Sequence, residues 1–398
     1  MKILNLLWEL KKWPPEILGR LKEKNLEEEK LEEASSSLKD NSFLILNCYN
    51  KKMPKLNVLV AGSTGYIGIQ LLKLLVKHKY IKIKYLCGNS SIGKKVSVYD
   101  KTTSLKRLPK IVKFNRKYLK EVDIVFTALP NGEAQIISNY LNENNILIDL
   151  AADFRLKKAS DYLKWYKQKH KAISNIKKSI YSLPEITNKQ IKDYKIISCP
   201  GCYPTSILLP LIPLIKKNLI KKDNIIIDSK SGYSGAGRGV HKKYKDKNLY
   251  GSLSAYGVGF HRHNSEIDQM IKKYTKGKFK FEFTPHLTPM FRGILSTIYV
   301  DLNKSSSQTK IIKNLSKYYK NSPFVKILSK DKLISTNDVI NTNNCHISIC
   351  KSKNKNRIVI LSAIDNLIKG GAGQAIQNMN IKYNFPISAG LKWKFFYI

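Results

Sequence analysis

The architecture of this chain follows from the run Leu56-Asn57-Val58-Leu59-Val60-Ala61-Gly62-Ser63-Thr64-Gly65-Tyr66-Ile67-Gly68. Its first six residues form a short apolar segment that predicts a buried strand. The glycines that follow allow a tight turn, and a helical pattern extends over 69–77. A strand, a glycine turn and a helix in this order are typical of a loop that brings a pyrophosphate to a helix N-terminus. We therefore predict a dinucleotide-binding loop at 62–68, with a plain strand–helix turn as the alternative.

The loop after the second predicted strand indicates which dinucleotide binds. The strand is Ile81–Cys87, and the loop runs over 88–95. An NAD site commonly has Asp or Glu here for the ribose hydroxyls, and this loop has neither. Its hydroxyls and lysines suit a 2′-phosphate, so we expect NADP(H), bound by Ser90, Ser91 and Lys94. A solvated loop is the alternative.

Strands and helices continue to alternate along the chain. Segments 122–130 and 146–150 are predicted strands on either side of the helical stretch 132–142, which favours a doubly wound parallel sheet. Later strands indicate a mixed second domain, and we expect them at 224–228, 278–283, 295–301 and 357–362. The predicted class is α/β, a Rossmann-type dinucleotide-binding domain plus an α+β catalytic and dimerisation domain. The expected segments are an N-terminal extension at 1–53, the NADP-binding domain at 54–201, completed by a C-terminal helix at 366–398, and the catalytic and oligomerisation domain at 202–365.

The net charge of +42 raises the question of a nucleic-acid or membrane partner. The cations are mostly lysines spread over nearly every segment, and no nucleic-acid-binding motif occurs, so we expect no nucleic-acid partner. No apolar run reaches the roughly 18 residues that span a bilayer, so we expect no membrane partner. Six cysteines without a disulfide pattern indicate a reducing compartment. We expect a cytoplasmic protein.

The few arginines are informative because lysine is the default cation in this chain. Arg155, Arg238, Arg262 and Arg292 all lie in segments rich in Gly, Pro or His. The planar guanidinium binds carboxylates and phosphates through two parallel hydrogen bonds. We therefore expect these arginines to contact an anionic substrate.

Cys202 lies at the start of a predicted helix, in the run Ser198-Cys199-Pro200-Gly201-Cys202-Tyr203-Pro204-Thr205. Unpaired N–H groups and the helix dipole stabilise a thiolate at such a position. We predict that Cys202 is a nucleophile with a lowered pKa that attacks an acyl carbon. Cys199 and Cys202 also form a C-x-x-C pair, so a redox dithiol, half of a zinc site or a buried structural cysteine are alternatives. The other cysteines lack ligand spacing, and we expect no metal.

Eight motifs, in order, resemble those of N-acetyl-γ-glutamyl-phosphate reductases, relatives of aspartate-semialdehyde dehydrogenases. The resemblance runs from about Leu56 to the C-terminus. It is carried by GSTGYIG at 62–68, DLAADFRL at 149–156, YSLPE at 181–185, PGCYPT at 200–205, SGYSGAGRG at 231–239, GFHRHNSEI at 259–267, FTPHLTPMFRGIL at 283–295 and DNLIKGGAGQAIQNMN at 365–380.

This resemblance implies a reaction. NADPH would reduce N-acetyl-γ-glutamyl phosphate to the semialdehyde through a Cys202 thioester, with release of phosphate, in arginine biosynthesis. We expect His261 to be the acid–base, with His263 as the alternative, and Glu266 to orient the imidazole.

The resemblance also implies further contacts and partners. Pro130, Gly235 and Asn366 would contact the cofactor, and His263 would contact the substrate. The chain would form a homo-oligomer, a dimer or tetramer.

Three positions depart from the family pattern. Cys199 stands where Asn is common, Ser265 replaces a proline, and Gly88-Asn89 replaces a Ser-Arg pair expected at the 2′-phosphate. Two other functions stay open. One is a reductase of a carrier-bound aminoadipyl phosphate in lysine biosynthesis, and the other is a nucleic-acid-binding protein that retains an inactive reductase fold.

Overall fold

Two seven-stranded sheets organise the chain. The computed structural model describes residues 55–238, 251–275 and 279–391. The predicted N-terminal extension 1–53 lies outside the described residues, as do the last residues of the predicted C-terminal segment, 392–398.

The first sheet is parallel throughout and has the strand order β3-β2-β1-β4-β5-β7-β6. Its strands are β1 Leu56–Ala61, β2 Ile81–Cys87, β3 Ile111–Val112, β4 Ile124–Thr127, β5 Ile146–Asp149, β6 Ser179–Tyr181 and β7 Ile196–Ser198. The helices of this region are α1 Tyr66–Leu75, α2 Glu133–Ser138, α3 Ala159–Tyr166, α4 Ile173–Ile176 and α5 Pro184–Thr187. Short 3-10 turns occur at 96–98, 103–105, 116–121 and 188–193.

The second sheet is mixed and has the strand order β12-β13-β14-β11-β8-β10-β9. Its strands are β8 Ile225–Gly232, β9 Ser254–Ala255, β10 Phe281–Thr288, β11 Ile294–Asp301, β12 Val325–Ile327, β13 Cys345–Lys351 and β14 Arg357–Ile364. One face packs on the helices α6 Cys202–Lys216, α7 His263–Tyr274 and α8 Gln308–Tyr318. Along β11 the residues alternate between buried and half-buried, so its second face is only partly covered.

The chain returns to the first sheet at its C-terminal end. A π-helical turn at Ile368–Ala372 leads into α9 Gly373–Lys382. Ala375, Ile376 and Met379 of α9 join the same apolar core as β1 and α1. The C-terminal helix expected at 366–398 is shorter in the described residues, because α9 ends at Lys382, and this helix packs on the first sheet.

The α/β class with a parallel dinucleotide-type sheet and a mixed second sheet is confirmed. The helix expected over 132–142 ends at Ser138, and the Lys-, Asn- and Ser-rich region 303–355 contains α8, β12 and β13. Among the described residues, no helix is both long enough and apolar enough to cross a membrane.

Candidate active site

Cys202 is the first residue of α6, at the helix start that the sequence predicts. The carbonyl of Gly201 accepts the amide hydrogen of Thr205 at 3.0 Å and so begins the helix. Cys202 is half-buried. A Cβ built on Gly370 would lie 2.6 Å from Cys202 Cβ. The π-helical turn that contains Gly370 therefore packs directly on the thiol-bearing residue.

The prediction of a lowered thiol pKa at Cys202 is wrong. Burial raises the pKa of Cys202 to about 11, and the positive charge of Arg155 lowers it by less. The loss of hydration at the start of a buried helix outweighs the favourable helix dipole. At neutral pH the Cys202 thiol therefore keeps its proton until a base removes it.

Glu266 connects the two domains beside Cys202. It is fully buried in the first turn of α7. Its Oε1 accepts a hydrogen bond from Arg155 Nη1 at 2.9 Å. Its Oε2 accepts from the Tyr181 hydroxyl at 3.0 Å and from the Gly201 amide at 2.8 Å. The carboxylate thus fixes the backbone immediately before the thiol.

Arg155 is buried and bonded within the protein rather than open to a substrate. Its Nε donates to the carbonyl of Cys199 at 2.9 Å, and its Nη2 donates to the carbonyl of Leu150 at 3.1 Å. With the bond to Glu266, each guanidinium nitrogen has an acceptor. This differs from the expected substrate contact, because Arg155 instead orders the segment that leads to Cys202.

His263 packs against the residue that precedes the thiol. A Cβ built on Gly201 would lie 2.5 Å from His263 Nε2. The same nitrogen is 3.7 Å from Glu266 Oε1, which is longer than a hydrogen bond. His263 Nδ1 is buried without a hydrogen-bond partner among the described residues. Burial, and then the charge of His261, lower the pKa of His263 well below 6.5, so the imidazole is neutral at pH 7.

His261 lies behind His263, with 4.7 Å between the ring centroids. Its ring meets the edges of Tyr203 and Tyr256 at 5.7 Å and 5.4 Å. Burial lowers the pKa of His261 to about 4. Of the two imidazoles considered for the acid–base, His263 makes the contact with Gly201.

The glycine loop fits a dinucleotide. The loop joins β1 directly to α1. Gly62 has φ +85°, and a Cβ there would lie 2.3 Å from the carbonyl oxygen of Ala128, so only glycine is accommodated. The Ser63 hydroxyl is buried, and the described residues offer it no hydrogen-bond partner. This orphaned hydroxyl beside a helix N-terminus suits a phosphate ligand.

The rest of the loop is closely packed at Gly68 and half-buried elsewhere. A Cβ on Gly68 would lie 2.1 Å from the carbonyl oxygen of Gly62, so that glycine packs the helix on the turn. The other loop residues are half-buried, namely Thr64, Gly65, Tyr66 and Ile67.

The residues expected at the 2′-phosphate differ in their exposure to solvent. Ser90 and Lys94 are exposed at the end of β2. Ser91 is buried, and its hydroxyl oxygen accepts a hydrogen bond from Tyr99 at 2.9 Å. Pro130 is exposed after β4.

Gly235 and Asn366 lie together at the domain junction. A Cβ on Gly235 would lie 3.4 Å from Asn366 Nδ2. Asn366 donates to the Ser234 hydroxyl at 3.0 Å and accepts from the Gly293 amide at 2.8 Å. Asn366 therefore holds the 3-10 turn 233–236 in place.

Two of the remaining arginines contact α1. Arg238 lies over the Tyr66 ring, 4.7 Å from its centroid, and so borders the glycine loop. Arg292 Nη2 donates to Gln70 Oε1 at 3.0 Å, and its Nη1 is 3.3 Å from Asp365 Oδ2. Arg292 therefore connects α1 to the second domain.

Arg262 immediately precedes His263 and is exposed. Its guanidinium carbon lies 5.9 Å from the centroid of the Tyr166 ring.

Cys199 occupies a different environment from Cys202. It is buried in the core of the first domain. Burial raises the pKa of its thiol to about 12. Within the described ranges, no group of three or more His, Cys, Asp or Glu side chains could hold a metal ion.

The sequence reasoning missed Tyr181 and Gly370 as parts of the site. Tyr181 opens the YSLPE motif, and Gly370 belongs to the motif at 365–380. Both lie in motifs that carry the family resemblance, but their contacts with Glu266 and Cys202 join positions far apart in sequence. Their presence in two family motifs was the available signal, but it did not assign a role to either residue.

Known proteins of similar sequence identify the family of this chain. Two family models match, described as the NAD binding domain of semialdehyde dehydrogenase over residues 57–194 and its dimerisation domain over residues 202–366. N-acetyl-gamma-glutamyl-phosphate reductase of Geobacter metallireducens is 41% identical over 344 residues, which cover 85% of this chain and 98% of the relative. A probable chloroplastic N-acetyl-gamma-glutamyl-phosphate reductase of Arabidopsis thaliana is 40% identical over 83% of this chain and 82% of its own length.

A solved structure shares the fold. Aspartate semialdehyde dehydrogenase with NADP from Candida albicans superimposes with a TM-score of 0.58 at 17% identity, covering 83% of this chain and 99% of that one. The identity over most of the chain, together with both domain matches, shows that the chain belongs to the N-acetyl-γ-glutamyl-phosphate reductase family, whose relatives include the semialdehyde dehydrogenases.

Proposed function

We propose that this protein reduces N-acetyl-γ-glutamyl phosphate to N-acetylglutamate semialdehyde with release of phosphate. The observation that carries the proposal is the joint position of Cys202 at the start of α6 and His263 against Gly201. A thiol beside a neutral imidazole suits covalent catalysis on an acyl group. The names of the relatives supply the substrate.

His263 generates the nucleophile. Its imidazole is neutral at pH 7 because burial depresses its pKa, so it accepts the thiol proton of Cys202. The sulfur then bonds to the acyl carbon, the bond from that carbon to the phosphate oxygen breaks, and the phosphate takes up a proton from solvent as it leaves. The acyl group remains on Cys202 as a thioester.

Reduction completes the reaction. The nicotinamide, when bound, supplies the hydride that reduces the thioester carbon. The thiohemiacetal on Cys202 then collapses, which breaks the carbon–sulfur bond and releases the semialdehyde. His263 holds the proton that the sulfur gave up and returns it to the departing thiolate.

Glu266 and Arg155 are positioning residues in this scheme. Glu266 holds the Gly201 amide at 2.8 Å, and Arg155 holds the Cys199 carbonyl at 2.9 Å. Together they fix the chain on both sides of Pro200. This arrangement sets the direction of the thiol without a direct bond to the substrate.

NADP(H) is the proposed dinucleotide. The buried Ser63 hydroxyl and the glycine loop fit the diphosphate. The exposed Ser90 and Lys94 fit the 2′-phosphate, and no carboxylate follows β2 in the loop 88–95. A dehydrogenase of the same fold, whose crystal structure contains NADP, supports the choice.

Arg262 is the proposed substrate clamp among the four arginines. It is exposed and adjacent to His263, whereas Arg155 and Arg292 are bonded within the protein. We expect Arg262→Lys to cost roughly 1–3 kcal/mol in kcat/KM for the acyl substrate, the scale of a charge-assisted hydrogen bond. Arg116→Lys, at an exposed position outside the motifs, is the control and should leave kcat/KM unchanged.

We also propose a cytoplasmic homo-oligomer that assembles through the second domain. The matching family model is described as a dimerisation domain, and the half-buried face of β11 suits contact with another copy.

The test is turnover in the reverse direction, with N-acetylglutamate semialdehyde, phosphate and either NADP⁺ or NAD⁺. We expect phosphate-dependent reduction of NADP⁺, with a higher kcat/KM for NADP⁺ than for NAD⁺. No turnover of this free semialdehyde, combined with turnover of a carrier-bound aminoadipate semialdehyde, would move the assignment to lysine biosynthesis. Equal rates with both dinucleotides would remove 2′-phosphate recognition from the proposal.

A further inference from the structure

Lys369 and Glu185 form an ion pair inside the protein. Lys369 Nζ lies 2.6 Å from Glu185 Oε1, and the two side chains are only 0% and 2% exposed. Gln377 joins them, because its Oε1 accepts from Lys369 Nζ at 2.9 Å and its Nε2 donates to Glu185 Oε1 at 2.8 Å. The proposed chemistry uses neither charge.

Stability alone is a poor explanation for this pair. Removing two charges from water costs several kcal/mol per ion. Replacing such a pair by neutral groups of similar volume is often neutral or stabilising. The Oε2 atom of Glu185 is also buried without a hydrogen-bond partner among the described residues. The pair is better explained by the segment that it holds in place.

The pair holds the turn that packs on the nucleophile. Lys369 belongs to the π-helical turn Ile368–Ala372, and the next residue, Gly370, lies against Cys202 Cβ. Asp365 fixes the start of the same turn, because its Oδ1 accepts the amide hydrogen of Leu367 at 2.8 Å. π-helical turns are frequent at functional sites. The turn is thus anchored at its start by a cap and at its centre by the ion pair.

We propose that Lys369 and Glu185 are positioning residues for Cys202, whose ion pair holds the turn 368–372 against the nucleophile. Glu185 lies in α5 of the first domain and Lys369 follows β14 of the second sheet, so the pair also fixes this turn relative to both domains. The inference rests on the proposed role of Cys202 as the nucleophile.

The test uses the full chain with the double substitution Lys369→Met/Glu185→Gln. Both replacements have nearly the original shape, and neither leaves an unpaired charge. The matched control is Asp301→Asn/Arg357→Met, which removes an ion pair of 2.8 Å between the last residue of β11 and the first residue of β14. Thermal unfolding is measured first, to show that each double variant is folded.

Two readouts then separate positioning from folding. The first is the pH profile of Cys202 alkylation by iodoacetamide, followed by peptide mass. We expect the profile to move to lower pH in the double variant, because a loosened turn admits water to the sulfur, while alkylation of the buried Cys87 in the first sheet is unchanged. The second is kcat, which we expect to fall on the order of 10- to 100-fold, the effect of a small misplacement, with KM for NADPH within about twofold of its original value.

A folded double variant with the wild-type alkylation profile at Cys202 would overturn the inference. If the double variant does not fold, the same two measurements are made on Gln377→Met. This variant keeps the ion pair of Lys369 and Glu185 but removes the side-chain amide that bonds to both. A wild-type profile and kcat in that variant would overturn the inference as well. Absence of turnover in the wild-type protein would instead defeat the proposed function, and the alkylation profile needs no substrate.

Discussion

Cys199 and Cys202 are three residues apart, yet they differ in environment. Cys199 is buried in the core of the first domain, whereas Cys202 is half-buried at the start of α6. We expect Cys202→Ser to abolish turnover while NADPH still binds, because a hydroxyl is a much poorer nucleophile than a thiol. Cys199→Ser should retain substantial activity. The measurements are kcat and a fluorescence titration with NADPH under reducing conditions.

The alternative of a redox dithiol makes the opposite prediction for Cys199. A dithiol needs both sulfurs, so both serine variants would lose activity to the same extent. That result under reducing conditions would contradict the single-nucleophile mechanism.

The two histidines give a second prediction at this scale. Since His263 contacts Gly201, we expect His263→Asn to lower kcat by about 10²- to 10⁴-fold, the usual contribution of an acid–base group, and His261→Asn to lower it less. Burial lowers the pKa of His263 well below 6.5, so the neutral base persists as the pH falls. The acid limb of the pH profile of kcat/KM should therefore lie below pH 6.5.

A larger loss of kcat in His261→Asn than in His263→Asn would return the acid–base role to His261. An acid limb above pH 6.5 would show that the buried imidazole does not supply the base in the free enzyme.

At the scale of elements, α6 contains two prolines in its interior, where a helix normally excludes proline. Pro213 has no N–H, so the carbonyl of Leu209 has no donor four residues later. The Tyr319 hydroxyl, which follows α8, donates to this carbonyl at 2.6 Å. The side chain therefore replaces the missing backbone hydrogen bond at a buried position.

We expect Tyr319→Phe to lower the free energy of unfolding by about 1–3 kcal/mol, the cost of a buried carbonyl without a partner. In the Pro213→Ala background the same substitution should cost less, because alanine supplies an N–H to Leu209. Denaturant unfolding of the four proteins in this cycle measures the coupling.

Tyr318→Phe is the control for this prediction. Its ring is half-buried beside Lys216, so removal of its hydroxyl should change stability by less than Tyr319→Phe. Equal effects of the two substitutions would show that the carbonyl of Leu209 is not a special acceptor.

Elements with a strong local signal could be predicted from the sequence, whereas those that depend on distant contacts could not. The strand and glycine turn around Gly62 and the helix start at Cys202 follow from apolar runs and turn residues alone. β13 contains Cys, His, Ile and Ser and lies within a Lys- and Asn-rich region. Its few apolar residues therefore do not stand out as a strand in the sequence. β14 and β12 on either side complete its burial.

The chemistry of the site depended on the same distant contacts. The high pKa of Cys202 arises from burial by segments such as the turn at Gly370, which is far away in sequence. The sequence predicts which residue types form the site. The pKa of each group depends on its burial and on nearby charges, and these follow only from the positions of the residues in space.

At the scale of the whole molecule, the site forms where the two sheets meet, and a buried carboxyl lies close to that junction. Asp149 ends β5 and is fully buried. Its Oδ1 accepts from the Thr127 hydroxyl at 2.7 Å and from the Ala151 amide at 3.0 Å, but its Oδ2 has no partner among the described residues. Burial, and then the charge of Asp153, raise the pKa of Asp149 to about 7.

This raised pKa makes the stability of the whole protein depend on pH. In the unfolded chain the carboxyl titrates near 3.8, so between that value and pH 7 the folded state binds more protons than the unfolded state. Stability therefore falls as the pH rises through this window. We expect Asp149→Asn, which keeps an oxygen for Thr127 and Ala151, to remove this contribution. Its Tm relative to wild type should rise between pH 5 and pH 8.

Asp193→Asn, at an exposed position before β7, is the matched control for the same measurement. It changes the net charge equally, so any effect of charge on the +42 chain is common to both variants. A difference in Tm between Asp149→Asn and wild type that does not change from pH 5 to pH 8 would contradict the prediction. It would mean that Asp149 stays ionised in the folded protein, held in that state by Arg155, whose charge favours the carboxylate.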